Sequence, residues 1–411
     1  MQQVLFRNLS LLDPRWDEPR EGYEVLIEGE TIKEVSPKAI RADNARVVDC
    51  GKRVLMPGLI DCHVHVFLSE VSIRNLESVP LTLMTARASE LMRGMIDRGF
   101  TTVRDTGGAD WGVKVAVETG LITGPRLFIS GRAIGPTGGH SDGRRRTDNG
   151  ASCNCCNAMV YCMEVVDGAD AVRKAVREQM RQGADQIKIM CSGGVASPYD
   201  PLDSLQFSPA EIAAATDEAD AFGRYVLAHA YTPEAITRAV ENGVRTIEHG
   251  NLIDAASAKL LGAKGGFMIA NLVTYYTMKE RAAQFGMTPE MLAKNDLVLE
   301  GGLKSLEICK QAGVEVGYGS DLLGQLQVEQ SREFIYRAEV LKPIEIVRQA
   351  TTIAARILRQ EGKLGVIEPG AAADVIVVDG NPLKKLELFL DQGAHLPVIM
   401  KAGKFHKNAL N

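Results

Sequence analysis

The stretch "LIDCHVHV", residues 59–66, follows directly on Pro57 and Gly58 and marks a change of rhythm in the chain. It reads as a short apolar strand that ends in His63 and His65. Side chains two apart in a strand point to the same face, so both imidazoles are expected to enter one space. Before this stretch the sequence alternates like antiparallel strands: "VLFRNLSLLD", "YEVLIEGETIKEVSP" and "ARVVDCGKRVLMPG", with Gly29 as a hairpin signal. After it, short apolar runs alternate with amphipathic helical patterns. Strand patterns at "TTVRDTGG", "RLFISGRAIG", "QIKIMCSGG", "YVLAHAY", "TIEHG", "FMIANLV" and "VEVGYGSD" each precede a helical pattern.

Counting the first stretch, this gives eight strand–helix units. Such alternation implies a parallel sheet covered by helices, and eight units predict a (β/α)8 barrel, an α/β fold. The C-terminal "AADVIVVDG" and "PVIMKAGKFHKN" return to strand patterns. Isolated strand pairs are marginal in water. The two termini are therefore expected to form one small composite β-sandwich from residues 1–57 and 361–411, with the barrel over 58–360.

The bulk properties agree with a large domain plus a smaller one. The chain has 411 residues, 45% hydrophobic and 24% charged, with a formal net charge of -5. A single core stops growing at roughly 250–300 residues. The negative charge argues against nucleic acid or an anionic membrane as partner. No apolar run suggests a spanning helix, and Asp13 and Pro14 interrupt the N-terminus too early for a signal peptide. A cytoplasmic protein acting on a small molecule, as a homo-oligomer, is the expectation.

Of eight cysteines, Cys50, Cys62, Cys191 and Cys309 sit singly in apolar surroundings and read as core residues. Cys153, Cys155, Cys156 and Cys162 crowd into "CNCCNAMVYC". That spacing lacks the paired pattern of common zinc sites, so loop thiols without a metal role are the preferred reading.

The remaining polar residues converge on the strand ends. His229, His249 and Asp321 each close a predicted strand, and barrel active sites lie at those ends. With His63 and His65 they form a set of imidazole and carboxylate ligands suited to divalent metal. Any one histidine is ordinarily a hydrogen-bonded core or loop side chain, but four histidines and an aspartate on one rim are not. "GADQIKIMCSGG", residues 183–194, adds Lys188 in the middle of a buried strand. Unpaired, it would snorkel or seek a carboxylate. Facing the same rim, a neutral Lys188 amine can react with carbon dioxide to form an anionic carbamate.

Taken together, "PGLIDCHVHV", Lys188, His229, His249, Asp321 and "GKLGVIEPGAAADVIVVDGNPL" resemble the amidohydrolase superfamily over essentially the whole chain. The lysine resembles the binuclear members. On that likeness His63, His65 and Asp321 hold one divalent ion, with zinc expected. His229 and His249 hold the other, and carboxylated Lys188 bridges them. "RAIGPTGGHSDG" and "HAYTPEAI" resemble the prolidase-like branch related to imidazolonepropionase, whose matching positions are His140 and Tyr231. The implied activity is hydrolysis of dipeptides or N-acyl-L-amino acids with a free carboxylate, in the manner of prolidases and metallo-carboxypeptidases. Asp321 would serve as general base, with His140 or Tyr231 stabilising the oxyanion. Arg144, Arg145 and Arg146, or the Gly-rich backbone of "CSGGVASPYDP", are candidates for the substrate carboxylate. Cyclic amide or imide hydrolysis is the competing expectation. A non-catalytic scaffold is disfavoured because every expected ligand is present.

Overall fold

The computed structural model describes residues 3–71, 73–144, 146–147, 162–197, 199–282 and 286–410. Five strands open the chain: β1 (Gln3–Leu11), β2 (Arg20–Glu28), β3 (Thr31–Ser36), β4 (Arg46–Asp49) and β5 (Val54–Pro57). Three close it: β16 (Val375–Val378), β17 (Val398–Lys401) and β18 (Lys404–Asn408). Both groups belong to one sheet, in which β16 runs antiparallel to β5 and pairs Ile376 with Met56. Strands from the two termini therefore share one sheet. The hydrogen bonding, however, is continuous through all eight strands, so the two layers expected of a sandwich are one connected sheet. Phe6, Ile27, Leu55, Val377 and Met400 share its apolar cluster.

Among the described residues, ten parallel strands lie between these groups. They are β6 (Leu59–Val64), β7 (Phe100–Asp105), β8 (Arg126–Ile129), β9 (Ala133–Gly135), β10 (Met163–Val165), β11 (Ile187–Met190), β12 (Val226–Ala230), β13 (Thr246–His249), β14 (Phe267–Ala270) and β15 (Glu315–Tyr318). Nearly all of β6, β7 and β11–β15 is buried on both faces, which is why they read as continuous apolar runs. Helices follow at Leu81–Asp97, Trp111–Glu118, Ala169–Arg181, Pro209–Ala221, Pro233–Glu241, Ala255–Ala263, Val273–Arg281 and Pro289–Ala312. Local chemistry sets their starts. Ser208 accepts from the Glu211 N–H while the Glu211 carboxylate returns to the Ser208 N–H, a capping box before Pro209.

The parallel strands form two sheets, β6-β7-β8 and β10-β9-β11-β12-β13-β14-β15. The structure is thus α/β, and among the described residues the ladders do not close into a continuous ring. Across the gap between β15 and β6, the Asp321 N–H donates to the His63 carbonyl at 2.9 Å. Among the described residues no helix is long and apolar enough to cross a membrane. Cys50, Cys62, Cys191 and Cys309 are buried and free, as expected of core thiols; Cys162 is also buried and free. Cys153, Cys155 and Cys156 lie outside the described residues.

Candidate metal centre and active site

His63, His65, His140, Lys188, His229, Tyr231, His249 and Asp321 line a single pocket of about 640 Å³, open at its mouth. Six of them come from the expected strands. His63 lies in β6 and His65 one residue beyond it; Lys188 lies in β11 and His229 in β12; His249 ends β13; and Asp321 follows β15. Pairing register fixes their relative heights: Met190 sits level with His229, and Ala230 with His249.

Strict alternation would send the neighbours Glu248 and His249 to opposite faces. His249 has φ 72°, however, and this left-handed turn lets both side chains reach the interior. Asp321 has φ 52°. Residues without a glycine's freedom hold such conformations at a cost of roughly 1–3 kcal/mol each, and they cluster at functional sites.

Three of the imidazoles each place one ring nitrogen against an acceptor oxygen, and His65 Nε2 also lies 3.3 Å from the Thr106 hydroxyl. His63 Nδ1 lies 2.7 Å from Glu248 Oε2. His65 Nδ1 lies 3.0 Å from the Gly107 carbonyl, and His229 Nε2 lies 3.0 Å from the Gly193 carbonyl. Carboxylate and carbonyl oxygens only accept, so in each neutral ring the contacted nitrogen carries the hydrogen. The other nitrogen keeps its lone pair for a metal. For His63 that other nitrogen, Nε2, is buried without a hydrogen-bond partner and lies 3.3 Å from Asp321 Oδ1. His65 Nε2 is also 3.3 Å from Asp321 Oδ1, and His249 Nδ1 is 3.6 Å from Asp321 Oδ2. Donor atoms of His63, His249 and Asp321 fall within 4.8 Å of one another.

The electrostatics suit a cation. Burial, together with neighbouring cationic groups, holds His229 and His249 well below the usual imidazole value, so both are neutral and ligand-ready. Burial opposes charge on His63 as well, but Asp321 outweighs it and raises this imidazole. Burial would likewise raise Asp321, yet His63, His65 and His249 hold it well below the carboxylate range. A metal ion would take the place of the proton that His63 and Asp321 compete for.

Lys188 is 2% exposed and makes no hydrogen bond or ion pair with the described residues. Burial pulls its ammonium down to about 8. Among the described residues, the buried lysine is therefore without the carboxylate partner that it would otherwise seek. On the far wall His140 stacks on His229 with ring centroids 4.5 Å apart, and its Nδ1 lies 3.1 Å from Asp200 Oδ2. The Tyr231 hydroxyl is 2.8 Å from that of Tyr275, which in turn lies 3.1 Å from His249 Nδ1. Burial raises the Tyr231 phenol, so it stays protonated and able to donate.

Among the described residues, Arg144 and Arg146 are not part of the pocket lining. Arg144 donates to Asp142, and Arg146 lies over the Tyr199 ring at 5.3 Å. Arg145 lies outside the described residues. Sequence reasoning also passed over supporting groups. Glu248 stands beside His249, and Asp105 accepts from the Val66, Gly107 and Ala109 N–H groups that shape the His65 loop. Tyr275 carried no motif. Asp105 ends a strand pattern and Glu248 lies one residue before the end of another, which is the signal that could have singled them out.

The chain matches the amidohydrolase family over residues 54–404 and belongs to it; it is a hydrolase acting on C–N bonds. Within that family it is prolidase-like. A crystallised prolidase complexed with N-methylphosphonate-L-proline superposes with a TM-score of 0.97 at 47% identity, covering 99% of this chain and 100% of its own. A crystallised amidohydrolase gives a TM-score of 0.97 at 51% identity, covering 100% of both chains. Ochratoxinase from Aspergillus niger is 30% identical over 368 residues, 86% of this chain and 76% of its own.

Proposed function

We propose that the protein is a cytoplasmic, binuclear metal-dependent hydrolase of dipeptides or N-acyl-L-amino acids that carry a free carboxylate. The observation that carries this reading is the convergence of all eight non-arginine candidates on one pocket. The likeness to a prolidase complexed with an N-substituted L-proline supports it. In this reading the two parallel sheets are arcs of one (β/α)8 barrel over residues 58–360, flanked by 1–57 and 361–411.

His63, His65 and Asp321 would hold one divalent ion, zinc by expectation, and His229 and His249 the other. The neutral Lys188 amine adds to carbon dioxide and releases a proton, giving a carbamate whose two oxygens suit a bridge. Such ions, when bound, supply a water of lowered pKa and polarise the amide carbonyl. Asp321 accepts the water's proton and passes it to the departing amine, which is a poor leaving group until protonated. The Tyr231 hydroxyl donates to the developing oxyanion. His140, with Nδ1 held by Asp200, offers Nε2 to the substrate.

Arg144 is engaged by Asp142, so the backbone after β11 is the better source of donors for the substrate carboxylate. The test is kcat/KM for N-acyl-L-amino acids and Xaa-Pro dipeptides against their C-terminal amides and cyclic imides. The protein is prepared with zinc and bicarbonate. Donors left unpaired by a missing anion can cost roughly 10⁴-fold. Equal values for acid and amide remove the carboxylate from the reading.

A further inference from the structure

Lys294 lies on the helix Pro289–Ala312, outside the pocket, yet its ammonium points at the loop that follows β11. It donates to three backbone carbonyls, those of Gly194 at 3.0 Å, Ser197 at 2.9 Å and Asp200 at 2.5 Å. An ammonium has three N–H donors, and all three are used. Among the described residues Lys294 makes no ion pair, so its charge is spent on the loop rather than on a carboxylate.

The loop it grips touches the site at three points. The Gly193 carbonyl holds His229 Nε2, Asp200 Oδ2 holds His140 Nδ1 and also accepts from the Gly194 N–H at 2.9 Å, and Val195 and Ala196 line the pocket. In a trans peptide the carbonyl oxygen and the next N–H point in opposite directions. With the Gly194 oxygen drawn to Lys294, the Val195 N–H points away from Lys294. Val195 is buried, and that N–H makes no hydrogen bond with the described residues. A buried N–H is nearly always paired, so one left without a partner beside a substrate pocket is a donor in waiting.

We propose that Lys294 is a positioning residue which, by fixing the Gly194 carbonyl, aims the Val195 N–H into the pocket as a donor to the substrate carboxylate. The assignment of the carboxylate rests on the substrate reading above; the grip on the loop does not. Arginine would not replace it, because a planar guanidinium cannot direct three N–H groups at carbonyls around a point as an ammonium does.

Two measurements on Lys294→Met test this. Hydrogen–deuterium exchange of the substrate-free protein over residues 194–197 should accelerate by roughly tenfold or more, the scale of losing hydrogen bonds to a charged group. KM for an N-acyl-L-amino acid should rise by about the same factor, and by clearly more than KM for its C-terminal amide. Lys294→Arg should behave like Lys294→Met. Should Lys294→Met fail to fold, Lys294→Gln keeps two donors and should give a smaller shift in the same two readouts. Unchanged exchange over 194–197 overturns the grip. A KM that moves equally for acid and amide overturns the aimed donor. If the wild-type protein itself does not distinguish acid from amide, the substrate reading fails, and the exchange result still decides the role of Lys294.

Discussion

His63 Nδ1 and Glu248 Oε2 lie 2.7 Å apart, both fully buried, and the same carboxylate receives Arg104 at 2.8 and 2.9 Å. Arg104 also donates to the Cys62 carbonyl at 2.6 Å, so Glu248 and the β6 backbone are tied by one guanidinium. Burial opposes charge on Glu248, but Arg104 and His63 together keep it ionised, far below the usual carboxylate value. The carboxylate thus sets which nitrogen of His63 carries the hydrogen and which faces the site.

Glu248→Gln should weaken metal binding while leaving every proposed ligand in place. Loss of such an orienting partner typically costs roughly 10–100-fold in metal affinity. Titration of the metal-free protein with zinc against a competing chelator measures it. An unchanged affinity would show that His63 needs no help from Glu248.

Lys188→Ala should lose one of two bound divalent ions, and with it most activity. Short carboxylic acids should restore part of both by standing in for the carbamate. Metal analysis of active wild-type protein must then give two equivalents. A single equivalent in fully active protein removes the bridging role.

The charge on Lys188 also predicts a pH dependence for the metal-free protein. Its ammonium has an ordinary value of 10.5 in the unfolded chain and about 8 in the fold. Between these values the folded state binds fewer protons, so stability rises with pH there, and the penalty is full below the window. Metal-free Lys188→Met should therefore exceed wild type in stability at pH 7 by up to about 3 kcal/mol, the gap closing towards pH 10.5. Denaturant unfolding at several pH values checks this. A gap that is flat across the window would mean that the folded site accommodates the ammonium.

Asp321→Asn should fold normally by circular dichroism and lose turnover by roughly 10²–10⁴-fold, the usual worth of general acid–base catalysis. Changed metal binding should add to the loss. A variant within a few-fold of the parent takes proton transfer away from Asp321.

Gly194→Ala should impair the enzyme without touching any ligand. A Cβ at this position would fall 2.0 Å from His140 Cε1 and 2.4 Å from Nδ1. The ring must shift, and displacement by about 1 Å can cost roughly 10²-fold. Parental kcat/KM in this variant would show that the position of His140 is unimportant.

Much of this was legible in the sequence because it depends on short-range pattern. The strand–helix rhythm predicts the elements, and the HVH spacing places His63 beside His65. Other features depend on what the fold brings from afar. His249 reaches the pocket by breaking the alternation that strand reading relies on. Arg144 reads in the sequence as a free cation, whereas the fold sets it against Asp142, two residues away. Glu248 and Asp200 look like ordinary acids until the fold sets one against His63 and the other against His140. Ladder closure depends on strand curvature, which residue pattern does not encode.

The antiparallel pairing of β16 with β5 carries a consequence for biosynthesis. β5 runs through Pro57 directly into the strand that bears His63, and its partner β16 is made only after all of the parallel strands. A nascent chain can therefore complete its helices and parallel strands while the root of the His63 strand still lacks its neighbour. Assembly of the candidate metal site should therefore wait for β16. A ribosome stalled before residue 375 should hold a chain that is mostly folded and unable to retain metal.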